Sequence, residues 1–90
     1  MTVEQDQRNH FSSAIAHTST TIATLEAERD ALLEAGAREL PAEPKDAHEV
    51  TSAAFDRCAH FVRLAEIERE LAIQGFAFKS LEGQLVEVVA

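Results

Sequence analysis

Ala37-Arg38-Glu39-Leu40-Pro41-Ala42-Glu43-Pro44 interrupts an otherwise helical pattern and decides the fold. Its two prolines fix φ, lack amide donors and push the residues before them out of helical conformation, so no helix runs through the stretch. On either side, apolar residues recur at helical spacing over about 35 and 30 residues. Two long helices of similar length with a short, stiff linker predict an antiparallel αα-hairpin, a mainly α fold.

Upstream of the break, Thr2 and Gln5 have capping-box spacing and Gly36 is a natural stop, which predicts a helix over 3–36 and a linker over 37–44. Phe11, Ile15, Thr18, Ile22, Leu25 and Leu32 follow one another in steps of four and three, with Arg29 completing the series. That is a single narrow seam able to face one partner. His17-Thr18-Ser19-Thr20-Thr21 is its soft stretch, because hydroxyl and β-branched residues have low helix propensity.

Downstream, Pro44, Asp46 and Glu49 predict a second capped helix over 45–74, with Gly75 as its stop. Val50, Ala54, Phe55, Cys58, Phe61, Val62, Ala65, Ala72 and Phe76 form one broad apolar arc, read here as the core face with Phe61 near its middle. Ala53, Leu64 and Leu71 form a separate shoulder. Together with Arg57 and Glu68, the charges between the two arcs, they are the predicted interface with another subunit. The hairpin supplies only one neighbour for this much apolar surface, so the expectation is a homodimer, a four-helix bundle. After Gly75 the period changes, and residues 76–89, rich in valine about Gly83, are read as a short β-hairpin, with a short third helix as the alternative.

Ninety residues make one domain, 1–90, and a chain this short buries only about 60 to 65% of its unfolded surface, which favours association. A net charge of −8 from sixteen acidic against eight basic residues disfavours direct contact with nucleic acid or an anionic membrane surface. Five of those net negative charges gather near the hairpin tip, where Glu26, Glu28, Asp30, Glu34, Glu39, Glu43, Asp46 and Glu49 face Arg29, Arg38 and Lys45. One cysteine, an N-terminus without a leader pattern and no long apolar run predict a cytoplasmic protein.

Reactive residues do not converge. Cys58 and His60 lie about 200° apart around a helix, so the imidazole does not reach the thiol. Asp56 and His60 share a face with Arg63, a spacing that serves a solvated pair more readily than a metal. Bundles that house two iron ions use Glu-x-x-His, but three residues before His10, His17, His48 and His60 stand Gln7, Ala14, Lys45 and Arg57. The resemblance to them is architectural only. No catalytic residue, cofactor or metal is expected.

The expected function is a non-enzymatic protein-interaction module, self-associating and joined to another protein as adaptor, assembly factor or regulatory subunit. The alternative rests on size and acidity: the chain resembles phage-encoded anti-CRISPR and other DNA-mimic inhibitors, which occupy basic nucleic-acid-binding sites with an acidic surface.

Overall fold

Thr2 opens α1 (Val3–Ala35): it is extended (φ −86°, ψ 161°), and its hydroxyl accepts from the Gln5 N–H at 3.1 Å. Gly36 closes the helix at φ 72°, ψ 166°, and its N–H donates to the Leu32 carbonyl at 3.0 Å. The soft stretch stays helical. The hydroxyls of Thr18, Thr20, Thr21 and Thr24 donate to the carbonyls four residues back at 2.8 to 3.0 Å, so they add to the helix's own bonding without interrupting it.

A capping box starts α2 (Ala47–Val89): the Asp46 carboxylate accepts from the Glu49 N–H, and the Glu49 carboxylate accepts from the Lys45 N–H, both at 2.8 Å. The computed structural model describes the backbone of residues 2–89 and side chains as far as Glu87. Met1 and Ala90, included in the single-domain reading of 1–90, lie outside the described residues.

The two helices pack side by side into a rod of 70 × 17 × 15 Å. Its radius of gyration is 20.7 Å, against about 12 Å for a globule of this length. Glu28 and Arg63 pair between the helices, which fixes the antiparallel register. In that register the end of α1 comes level with Asp56, and the first turns of α2 overhang it. The linker runs back along the overhang, where the Arg38 guanidinium donates to the Asp56 carboxylate and, at 3.4 Å, to the Ser52 hydroxyl.

No strand occurs among the described residues, which overturns the expected β-hairpin over 76–89. Gly75 does not stop α2, and neither Gly75 nor Gly83 breaks it. Each glycine costs a helix interior about 1 kcal/mol relative to alanine. Phe78, Leu81 and Leu85 offset this: they are half-buried at the four-three spacing of the stripe before them. Burial of that stripe against another helix overrides the local preference of the valines for strand.

The apolar faces of α2 are also reversed from expectation. Ile67 and Ala53 are fully buried, and α1 with the linker is all there is to cover them. In line with them run His60, Leu64, Leu71, Gln74, Phe78, Leu81 and Leu85, all half-buried, in the same four-three steps as Phe11 to Leu32 on α1. Two matched seams thus zip over the whole hairpin, as in a coiled coil. The broad arc fades after Phe76, whereas the narrow stripe continues to Leu85, and a long, narrow seam on α1 selects length over width.

Candidate interaction surface

The arc read as core is the outer face of α2. Phe55 is 71% exposed, Phe61 and Val62 51% each, and Phe76 76%, with Val50, Ala54, Cys58, Ala65 and Ala72 exposed among them. Isolated exposed apolar residues are ordinary, but a contiguous band along several turns marks an interaction site. Near its N-terminal end Val50, Thr51, Ala54, Phe55 and Cys58 line a shallow, open depression of about 360 Å³.

The residues assigned to an interface from sequence divide between two locations. Ala53, Leu64 and Leu71 belong to the hairpin's own seam, so reaching them means parting the helices. Arg57 and Glu68 remain at the surface. The Arg57 guanidinium lies 5.2 Å from the Phe61 ring centroid and donates to the Arg38 carbonyl at 3.4 Å, so two contacts hold its charge at the margin of the apolar band. Neither Arg57 nor Glu68 has an ion-pair partner among the described residues.

The acidic residues near the tip are largely engaged within the chain. Arg29, half-buried on the α1 seam, reaches Asp30 at 3.2 Å and Glu26 at 3.9 Å. Glu28 binds Arg63, while Asp46 and Glu49 cap α2. Glu34, Glu39 and Glu43 are exposed. The eight acids therefore do not form one uncommitted anionic face.

No family model, no curated protein and no solved structure matches the chain.

The remaining reactive groups are placed as follows. The Cys58 thiol is free and exposed within the band. His60 sits half-buried at the helix–helix seam, edge-on to Phe61 at 5.3 Å. Asp56, its neighbour one turn away, is taken up by Arg38. His10 lies edge-on to Phe11 at 5.7 Å, and His17 is exposed. Among the described residues no three His, Cys, Asp or Glu side chains cluster, and no helix is long and apolar enough to cross a membrane.

Sequence reasoning passed over Ile67, the largest fully buried side chain. The signal was present in the steps Leu64, Ile67, Leu71, once continued through Gly75 to Phe78, Leu81 and Leu85.

Proposed function

We propose that this chain is a non-enzymatic interaction module that self-associates through the outer apolar band of α2, acting as an adaptor, assembly factor or small regulatory subunit. The observation that carries this reading is the exposed run of Phe55, Phe61, Val62 and Phe76 on one side of one helix.

Surface area supports a second copy as the occupant. The chain exposes 6693 Å², against about 5,200 Å² for a typical folded monomer of 9.9 kDa. Hiding the excess of about 1,500 Å² on each of two copies gives an interface within the range of about 2,000 to 5,000 Å² found for obligate homodimers. Two hairpins joined along α2 form a four-helix assembly in which α2, with an apolar face on each side, gains the second neighbour its apolar width requires. The engaged carboxylates and the separation of Cys58 from any base favour binding over catalysis. An exposed thiol on the band suits a reducing, cytoplasmic compartment.

Light scattering across a dilution series tests the reading. The expected mass is twice that of the chain at micromolar concentration, falling to that of the chain on dilution. A folded monomer of 9.9 kDa at all concentrations contradicts it.

A further inference from the structure

Resting on the reading of the outer band as a self-association face, we infer that two copies pack α2 against α2 in antiparallel fashion, in a register set by reciprocal ion pairs between Arg57 of one copy and Glu68 of the other. The two residues flank the densest part of the band, Cys58, Phe61, Val62 and Ala65. Arg57 is held in place by the Phe61 ring and the Arg38 carbonyl and has no carboxylate partner among the described residues. Glu68 is exposed and interrupts the band with a charge that has no ion-pair partner among the described residues.

Direction follows from charge. In a parallel pair about a two-fold axis the margin that carries Arg57 and Glu68 falls on opposite sides of the contact in the two copies, so neither charge meets its opposite. In an antiparallel pair the axis lies across the helices, and residues on the same margin of the band meet in reverse order. With the axis between Val62 and Arg63, Arg57 comes level with Glu68 of the second copy and Glu68 with its Arg57. One contact thus occurs twice. Sliding by one heptad either way sets Arg57 level with Phe61 or Gly75 of the other copy, and Glu68 level with Val50 or Leu64. Each alternative leaves both charges level with uncharged residues, so the two charges discriminate among registers that the apolar side chains alone would tolerate.

Sedimentation equilibrium on wild type, Arg57→Glu, Glu68→Arg, the double reversal and Val62→Glu tests the inference, with circular dichroism to follow the fold. Glu68 is exposed and has no ion-pair partner among the described residues, so Glu68→Arg is expected to leave the hairpin intact even where Arg57→Glu disturbs the linker. Each single reversal is expected to raise the dimer dissociation constant by about ten-fold or more, the double reversal to return it to within about three-fold of wild type, and Val62→Glu to give a helical monomer. Dimerisation that is lost in Val62→Glu but indifferent to the charge reversals, or not restored by the double reversal, overturns the register and leaves the interaction face standing. A Val62→Glu dimer of wild-type affinity, or a monomeric wild type, overturns the face and the register together.

Discussion

Arg63 grips Glu28 with two parallel hydrogen bonds, Nε to Oε1 at 2.8 Å and Nη2 to Oε2 at 2.7 Å, between residues 35 positions apart. The same guanidinium reaches Glu66 at 3.2 Å, so one cation serves both the helix pair and its own helix. Those hydrogen bonds hold the Glu28 carboxyl below its ordinary range, partial desolvation works the other way, and the Arg63 charge adds to the lowering. In return, Arg63 holds its proton more tightly.

A carboxyl whose pKa is depressed in the folded state stabilises the fold above its unfolded value, near 4.5, and loses that contribution as pH falls through the folded value. Glu28→Gln is expected to lower the melting midpoint only slightly at neutral pH, because the two side chains are 44% and 41% exposed and solvent screens them. The difference between variant and wild type should shrink as pH falls below the ordinary glutamate range and through the lowered folded-state value. Melts taken across this interval check the sign: a difference that grows with acid would contradict it.

Gly36 and Gly83 should respond to alanine in opposite directions. Gly36 sits at φ 72° and ψ 166°, a region that side chains other than glycine's enter at a cost of about 1–3 kcal/mol, although space for a methyl group is open. Gly83 is mid-helix with equally open space, so Gly83→Ala is expected to stabilise by about 0.5–1 kcal/mol. Urea titrations of the two variants decide; destabilisation by Gly83→Ala would mean that α2 is not helical there.

Ile67→Ala is expected to cost about 2–5 kcal/mol, since it empties the most enclosed point of the seam. Phe61→Ala removes a half-exposed ring and is expected to weaken association far more than it unfolds the hairpin. Glu at both Leu64 and Leu71 should melt the hairpin outright, because those side chains face α1. Helix content and mass measured on the same samples separate the three. A loss of helix in Phe61→Ala comparable to that in Ile67→Ala would return Phe61 to the core.

Cys58 offers a ruler for the dimer. In the antiparallel register Cys58 comes level with Ile67 of the other copy, so the two thiols stand nine residues apart, about 13 Å along the axis. A disulfide needs Cβ atoms about 3.5–4.5 Å apart, so oxidised wild type is expected to run as a monomer on a non-reducing gel. Val62→Cys in a Cys58→Ser background lies beside the two-fold axis and is expected to cross-link. Ready cross-linking through Cys58 itself would place the axis elsewhere.

Much of the hairpin was legible because its signals are local. The Thr2 and Asp46 caps, the Gly36 stop, the proline break and the seam from Phe11 to Leu32 each depend on residues a few positions apart. The continuation of α2 was not legible, because Gly75 and Gly83 speak against it locally and only the distant seam of α1 outweighs them. Ending the helix at Gly75 hid Phe78, Leu81 and Leu85, and with them the length of the narrow stripe. The broad arc then looked like the natural partner for α1. Arg57 and Glu68 were recognisable as charges in an apolar neighbourhood, but their freedom from partners depends on how Arg38 and Arg63 commit the other acids.

The Arg38 contacts to Ser52, Asp56 and Arg57 join residues only 14 to 19 positions apart, whereas Glu28 and Arg63 are separated by 35, and the spacing widens steadily away from the linker. Closing a loop costs more entropy as it lengthens, about 0.6 kcal/mol for each doubling. The cheapest contacts are therefore at the linker, and each layer formed shortens the loop that the next must close. Folding is accordingly expected to have an order in time, advancing from Arg38 toward Phe11 and Leu85. The half of α2 that holds both of its glycines is then expected to join late and open first, and hydrogen exchange should find its amides less protected than those of the half near the linker.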